Sequence, residues 1–330
     1  MPVEEGENMI KKLIGVCLAV TLILPAVISC SSPNAPATLP IPGTANAVEQ
    51  IQVSKILDNS ALNIAYGQLA ATRPAWPQTA ADAVNQLLQK TGFDLTSVSS
   101  VIFFADIVST NQTENTYAGM VASGTFDAPA LIARVQQTAN QTFTSSSYKG
   151  FTVYAGEQDK FEIAFLSNSQ LVLGTPKAVR DSIDVNKGDQ KPLSGMIIDT
   201  MNRFGPALIT GAFTPPAGLS NELGQVAPHR SPVTPKFFKD IDAIGFAIDQ
   251  PSLSLSVRID AHSSNSTSIQ DAKDVITGLI STAKGSTQDP NIKAALGNVQ
   301  VSTTGLWLSV SDLINPADIA TLSGNITQPK

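Results

Sequence analysis

Apolar and polar residues alternate along several short stretches of the chain, and a period of two predicts β-strands. Two pairs of such stretches flank polar turns and therefore predict β-hairpins, over residues 98–126 and 241–261. In the second hairpin the alternation LSLSVRIDA places the apolar side chains on one side, which predicts a sheet with one dry face. Further β-rich runs are GFTVYAG, FEIAFLS, QLVLGT and VQVSTTGLWLSVS.

A period of three to four residues, typical of an amphipathic helix, occupies segments between these strands. Residues 49–92 have this pattern, and Pro74 and Pro77 predict a break between two helices there. Asp127, followed by Ala-Pro, predicts the start of another helix. Further helices are predicted over TPKAVRDSIDVNKG, NSTSIQDAKDVITGLISTAKG and DLINPADIATL.

The order hairpin, helix, strand occurs twice, so the chain contains two pattern-related units. Two such units predict an α+β fold in which helices pack on one face of antiparallel sheet. The pattern leaves open whether the two units share one sheet or form two domains.

The N-terminal stretch has the anatomy of a secretory signal. Lys11 and Lys12 precede an uncharged apolar run over residues 13–28. This run is shorter than the roughly 20 residues that a membrane-spanning helix needs. Residues 1–8 place three acids in front of the lysines, and a secretory signal should not have acids before its basic region. We therefore expect the true start to be Met9.

The apolar run ends in Val27, Ile28, Ser29 and Cys30, which resemble the bacterial lipobox. The resemblance implies that the thiol of Cys30 carries a diacylglycerol, with acyl chains such as palmitate, and that the signal is removed just before it. Each buried methylene contributes about 0.8 kcal/mol, so two acyl chains give stable anchoring. The alternatives are an ordinary signal peptide or an uncleaved anchor in which the cysteine is incidental.

The segment after Cys30 is rich in proline and small polar residues, which predicts an extended tether. The sequence therefore predicts a protein anchored by lipid to the cell membrane or the outer membrane, facing the extracytoplasmic side. The chain then divides into a signal peptide (1–29), the lipidated cysteine and tether (30–48), a helical lead-in (49–92), a first α+β unit (93–212), a Pro-rich loop (213–236) and a second α+β unit (237–330).

Much of the chain also resembles the DUF3352 proteins, which are uncharacterised secreted and lipid-anchored proteins of bacteria. The similarity lies in a late hairpin-helix-strand unit and in a step from strand to helix, and it is carried by YKGFTVYAG, FEIAFLSNSQLVLGTPKAVRDSID, DIDAIGFAID, LSLSVRIDA, AKDVITGLI and LGNVQVSTTGLWLSVS. The resemblance implies a fold and a compartment. It supplies no catalytic residue.

Composition narrows the classes of function. Hydrophobic residues make up 42% of the chain and charged residues 15%, which is typical of a folded protein rather than a disordered one. The formal net charge of −6 lacks the basic surface that nucleic acids require, so no nucleic acid partner is predicted. No P-loop or dinucleotide motif occurs, and no cofactor is predicted.

Few residues in the sequence are suited to catalysis. Cys17 lies inside the apolar run and would leave with the signal, so no disulfide is predicted in the mature chain. The two histidines, His229 and His262, are predicted to be solvated loop residues. Two isolated histidines without thiols do not make a usual zinc set, and no catalytic residue or metal site is predicted.

Acidic and aromatic residues provide the remaining candidates. Asp240 and Asp242 lack the other ligands and the glycine of an EF-hand loop, so a strand entry with Ile241 inward is predicted instead. Trp76 is predicted to pack under its loop, whereas either Trp307 or its leucine neighbours should face solvent or a partner. The acids near turns of the first unit are expected to be solvated: Glu157, Asp159 and Glu162.

Three classes of function follow from these observations. The favoured one is a non-catalytic lipoprotein that binds a partner or supports the envelope. The second is a carrier of a lipid or other apolar ligand between sheet and helices, and the third is a hydrolase with unrecognised residues. A cavity of roughly 300 Å³ or more between sheet and helices would favour the carrier, whereas a solid core would favour the binding module.

Overall fold

The structure is a computed structural model of the 330-residue chain. It describes residues 39–71, 76–107, 117–139, 142–156, 160–215, 240–251, 254–288 and 290–314. Among these residues, none of the helices is both long enough and apolar enough to cross a membrane.

Twelve antiparallel strands form one continuous sheet in the order β11-β12-β10-β9-β8-β1-β2-β3-β7-β6-β5-β4. The two predicted units therefore share a single sheet. The strands are β1 (Ala47–Ile51), β2 (Val98–Asp106), β3 (Tyr117–Gly124), β4 (Thr144–Tyr148), β5 (Phe151–Ala155), β6 (Glu162–Ser167), β7 (Gln170–Gly174), β8 (Ile209–Phe213), β9 (Ala243–Asp249), β10 (Leu255–His262), β11 (Gln300–Thr304) and β12 (Trp307–Ile314).

The two halves of the sheet have the same strand order outward from the central antiparallel pair β1 and β8, except that β5 and β4 extend the first half. On each side three consecutive strands form a meander, β1-β2-β3 or β8-β9-β10. The last strand of each half, β7 or β12, then pairs with the third strand of the meander, and its preceding strand lies outside it. The predicted α+β class and its two related units are confirmed, and each half begins with a strand that the sequence pattern did not indicate.

Eight helices are present in the described residues, and they lie on both faces of the sheet. They are α1 (Val53–Leu57), α2 (Ser60–Ala71), α3 (Ala80–Thr91), α4 (Ala128–Ala139), α5 (Pro176–Lys187), α6 (Met196–Asn202), α7 (Ser266–Ser286) and α8 (Pro290–Asn298), with a short 3₁₀ helix at Leu95–Ser97.

We call the sheet face that carries Val48 and Phe104 face A, and the opposite face, which carries Ile51 and Val101, face B. On face B, α1, α2 and α4 pack over the first half of the sheet and its centre, and Ile269 of α7 packs over the second half. The predicted packing of helices on one face of the sheet is observed on face B. Helices α5 and α6 pack on face A as well, because the short linkers from β7 and into β8 return the chain over that side.

Close packing on face A depends on a glycine opposite an aromatic ring. Gly119 of β3 pairs with Phe104 of β2, and a Cβ at Gly119 would lie 2.3 Å from Cζ of that ring. Phe104 is 2% exposed because its ring occupies the space that a side chain at this position would take. The core of the first half therefore requires glycine here.

Two predicted boundaries differ from the structure near the N-terminal side of the fold. The tether was expected to run to residue 48, but Ile41 and Val48 are buried in the core, so the folded body includes residues 39–48. The helical lead-in was expected from residue 49, but residues 49–51 belong to β1. Strand β1 was missed because AVEQI is only five residues long and its apolar residues do not alternate with polar ones.

Two further differences concern short elements. The sequence analysis also did not predict β4, β8 or α6, which are five to seven residues long. The last predicted helix begins with Asp312, Leu313 and Ile314, which instead complete β12 because they pair with residues 255–257 of β10. The remainder of that predicted helix and the Pro-rich loop, apart from residues 213–215, lie outside the described residues.

Candidate functional site

Polar side chains on the second half of face A lie where no described helix covers the sheet. Helix α6 packs against β8 and β9, whereas α7 packs against β11 and β12 from the other side. The strand register aligns Asp260 of β10 with Ser309 of β12, and His262 with Trp307. The sheet therefore presents charged, hydroxyl and aromatic groups side by side on this face.

We name the central group the arginine–tryptophan cluster, and its members are Arg203, Arg258, Asp260, Trp307 and Ser309. Asp260 is at its centre and is 0% exposed. Its Oδ2 accepts from Nε of Arg203 at 2.9 Å and from Nη2 of Arg258 at 2.6 Å. Its Oδ1 accepts from Nε of Arg258 at 2.8 Å and from Oγ of Ser309 at 2.7 Å. The carboxylate is thus satisfied on both oxygens.

The ionised form of Asp260 is favoured despite its burial. Burial alone raises the pKa of this carboxyl, but the hydrogen bonds from Arg258, Ser309 and Arg203 outweigh burial and leave the pKa below its ordinary value. A buried carboxylate between two guanidinium groups is stable only when its oxygens are paired in this way. Asp260 therefore carries its negative charge at neutral pH and fixes the positions of both arginines.

The two guanidinium groups are held by aromatic rings as well as by Asp260. The Cζ of Arg203 lies 4.1 Å from the ring centre of Trp307, and that of Arg258 lies 5.4 Å from the ring of Phe204. The arginine side chains remain 28% and 36% exposed. Within the described residues, the Nη atoms of Arg203 and Nη1 of Arg258 have no hydrogen-bond acceptor. These groups can donate to an anion from outside.

His262 lies at the edge of this cluster and is not the solvated loop residue that the sequence analysis predicted. It is the last residue of β10 and is 7% exposed. Its ring centre lies 4.7 Å from that of Trp307, and its Nδ1 lies 3.1 Å from Oδ2 of Asp242. The prediction was wrong because β10 is longer than its apolar alternation, which ends at Ala261.

The neighbours of His262 do not form a nucleophilic triad. Ser264 donates from Oγ to Oδ2 of Asp242 at 2.6 Å, and from its backbone N at 2.7 Å. The hydroxyl therefore bonds the acid, whereas an activated serine would bond the histidine. Within the described residues there is no group of three or more side chains suited to hold a metal ion. Ser264 and Asp242 instead fix the turn that leads from β10 into α7.

Several other predicted residues can be located. Ile241 is 6% exposed, so the predicted strand entry with this residue inward is correct. Asp240 accepts from Ser268 at the start of α7. Glu162 is 2% exposed and pairs with Arg180 of α5 at 2.6 Å, so the expectation that it is solvated is wrong. The sequence shows only that Glu162 lies beside a turn. It does not show that α5 covers Glu162 on face A.

Trp76 is half-buried and packs against Tyr66, Ala70 and Ala80, as predicted. Other predicted residues lie outside the described residues: Val27, Ile28, Ser29, Cys30, Glu157, Asp159 and His229.

The interfaces between sheet and helices are filled by apolar side chains. On face A the contacts between sheet and α5 are made by Val121, Val172 and Ile183, each with at most 1% exposure. On face B, Ile51 of β1 and Val53 and Ile56 of α1 are equally buried. The sheet and helices are closely packed at these positions.

Apart from Trp307, the members of the arginine–tryptophan cluster were not identified from the sequence, although part of the signal was present. Arg258 and Asp260 are two residues apart in a predicted strand and therefore share a face. The same holds for Trp307 and Ser309. Their convergence required the register between β10 and β12, and Arg203 comes from a turn after α6, which the sequence pattern did not predict.

No protein-family model matches the chain, and no curated protein matches it. Three solved structures of TP0453, in crystal forms III, IV and I, have TM-scores of 0.47, 0.48 and 0.45 with this chain. Their sequences are 9%, 9% and 10% identical to it, and the alignments cover 88–89% of this chain and 97–99% of theirs. At this identity no functional residue is carried over.

Proposed function

We propose that this chain is a lipid-anchored, extracytoplasmic protein of bacteria whose folded part is a non-catalytic binding module. We further propose that the arginine–tryptophan cluster is its docking surface for a protein segment that bears carboxylates. The observation that carries the proposal is the placement of Arg203 on the ring of Trp307, above a fully buried Asp260. Arginine and tryptophan dominate the energetics of many protein interfaces.

The composition of the surrounding surface supports this choice of partner. The two arginines and Asp260 sum to one positive charge, on a chain whose formal net charge is −6. Leu313 of β12 is 56% exposed and lies on the same face as Trp307, and Ser309 and Ser311 lie between the two along the strand. Tryptophan and arginine are enriched in protein interfaces, and hydroxyl groups supply hydrogen bonds there. The guanidinium donors favour a partner with carboxylates.

The two other classes of function have less support. The filled interfaces between sheet and helices do not favour a carrier of apolar ligands. The hydrogen bond from Ser264 to Asp242 rather than to His262 does not favour a hydrolase. We therefore assign no catalytic residue and no cofactor in this proposal.

The anchor is tested by metabolic labelling with a radioactive fatty acid in a bacterial host. We expect the wild type and Cys17→Ser to be labelled and to sediment with membranes, because Cys17 lies inside the predicted signal. Cys30→Ser should be unlabelled and should leave the membrane fraction. Equal labelling of the two cysteine variants would refute the anchor.

The docking surface is tested with a capped hexaglutamate peptide, with capped hexaglutamine as the neutral comparison, followed by the fluorescence of Trp307 in a Trp76→Phe background. We expect saturable binding of hexaglutamate that weakens as salt is raised. Arg258→Ala should weaken binding about tenfold, the effect of losing one charge-assisted hydrogen bond. Lys284→Ala, on the distant helix α7, serves as the matched loss of one positive charge. Equal binding of both peptides, or equal loss in both variants, would refute the docking surface.

A further inference from the structure

A single carboxylate lies in the apolar centre of face B. Glu49 is the middle residue of β1 and is two residues from Ile51, so the two side chains share this face. The strand register places Glu49 opposite Phe103 of β2 and opposite Gly211 of β8. The eight residues around it on face B of these three strands are all apolar or glycine: Ala47, Ile51, Val101, Phe103, Ala105, Ile209, Gly211 and Phe213. The sheet therefore offers this carboxylate no polar neighbour on its own face.

The carboxylate of Glu49 has no hydrogen bond and no ion pair within the described residues. The residue is half-buried, and this burial raises the pKa of its carboxyl group. The two acids that are more deeply buried, Glu162 and Asp260, are both paired with arginines at 2.6–2.9 Å. A half-buried acid without a partner lowers stability, and nothing in the packing of the core requires one here.

Aromatic rings lie on both sides of Glu49. Phe103 is its neighbour on β2, and on the other side the ring of Phe246 of β9 extends over Gly211. A Cβ at Gly211 would lie 2.4 Å from Cε1 of that ring, so glycine provides the space for it. Ile259 of β10 pairs with Phe246 and is 46% exposed. We call these five residues the Glu49 row, and it leads from the carboxylate over apolar surface to solvent.

The chemistry of the Glu49 row selects one class of ligand. A carboxylate attracts a positive group, the faces of phenylalanine rings attract cations, and the apolar neighbours favour hydrocarbon. A metal ion would need further ligands, and no group of three or more suitable side chains occurs in the part of the chain that the structure describes. An anion would be repelled by Glu49, and a neutral lipid would leave its carboxylate without a partner.

We propose that the Glu49 row binds an organic ammonium ion. The ammonium group donates to the carboxylate of Glu49, and its hydrocarbon part lies against the rings of Phe103 and Phe246. The ligand occupies the open part of face B rather than a closed cavity between sheet and helices. The site lies on the opposite face from the arginine–tryptophan cluster and shares no residue with it or with the proposed lipid anchor, so it can be tested separately from both.

The test is a calorimetric titration of the full chain with hexylammonium chloride. Hexanol and hexanoate have the same chain length but are neutral and anionic, whereas methylammonium chloride keeps the charge without the chain. We expect saturable binding of hexylammonium that is roughly tenfold tighter than that of methylammonium, because several methylenes leave water. Hexanoate should not bind. The absence of saturable binding of hexylammonium, or equal affinities for hexylammonium and hexanol, would overturn the proposal.

Two variants assign the binding to Glu49. Glu49→Gln keeps the size of the side chain and removes its charge, so it should weaken binding of hexylammonium about tenfold, as expected when a charge-assisted hydrogen bond is lost. Asp271→Asn removes the same charge from an exposed position on α7 and should bind hexylammonium as the wild type does. Equal affinities of these two variants would overturn the assignment of the ammonium site to Glu49.

Discussion

Replacement of Asp260 by asparagine tests the arginine–tryptophan cluster as a structural unit. The substitution preserves the size of the side chain and removes its charge. It leaves the guanidinium groups of Arg203 and Arg258 without the carboxylate that accepts three of their hydrogen bonds. It also places an amide NH₂ donor against donors of the arginines. We expect Asp260→Asn to fold and to be less stable than the wild type.

The size of the effect follows from burial. Removing one partner of a buried ion pair costs about 3–5 kcal/mol. Asp260 is 0% exposed, but the arginines remain 28% and 36% exposed and keep part of their hydration. We therefore expect a loss of about 2–3 kcal/mol in the free energy of unfolding, at or just below the bottom of that range. If the free energy of unfolding falls by about 2–3 kcal/mol per molar urea, the midpoint of urea denaturation should fall by roughly 1 M.

The assay is urea denaturation at neutral pH, followed by circular dichroism. Asp271→Asn is the matched control, because Asp271 is exposed on α7 and its replacement removes the same charge from the chain. Substitutions of that kind usually change stability by less than about 0.5 kcal/mol. Equal stability of the two variants would refute the view that Asp260 organises the cluster.

The pH dependence gives a second, independent readout. The pKa of Asp260 is lower in the folded state than its ordinary value of 3.8. The stabilisation by its carboxylate is therefore complete above the unfolded pKa, and it is lost as the pH falls through the folded pKa. The difference in stability between wild type and Asp260→Asn should be constant near neutral pH and should shrink in acid. A difference that stays constant down to full protonation of Asp260 would contradict an electrostatic origin.

Four further predictions concern the fold. Gly119→Ala should lower the free energy of unfolding by about 1–3 kcal/mol because its Cβ would overlap the ring of Phe104. Gly278→Ala, in an open position on α7, should raise it by about 0.5–1 kcal/mol, and urea denaturation of both variants compares the two. Thr79→Ala should cost about 1 kcal/mol in a thermal melt, since Thr79 caps α3; an unchanged melt would exclude that role. Burial, together with smaller contributions from nearby carboxylates, raises the pKa of Tyr117 above its ordinary value of 10. The free energy of unfolding should therefore fall as the pH rises past 10. In an absorbance titration of tyrosinate, the curve of Tyr117→Phe should lack one alkaline component of the wild-type curve.

Much of the fold was predictable because local patterns and tertiary structure agree. The hairpin of β2 and β3 and the helix after Asp127 follow from alternation and from a capping acid, and both are present. The last hairpin turns at Gly305, whose positive φ of 60° suits glycine. Such elements are specified by their own residues, so neighbouring segments do not change them.

The missed elements depend on distant partners. Strand β1 is held by pairing with β2 and β8, which begin 51 and 162 residues after the start of β1. Glu162 is buried because α5 crosses face A, and no pattern within FEIAFLS indicates that crossing. The arginine–tryptophan cluster draws on three separate stretches of chain. Sequence periodicity reports which face a residue occupies but not which strand lies beside it.

The central position of β1 has a mechanical consequence. Its five residues pair on one side with β2 and on the other with β8, so they join the two halves of the sheet. A pulling force applied at residue 39 acts first on the bridge between Pro42 and Pro192 and on the buried Ile41, and then on β1. Both rows of hydrogen bonds then resist in shear and share the load, whereas a strand peeled from an edge would release them one after another. The proposed tether would therefore pull on a strand that is paired on both sides.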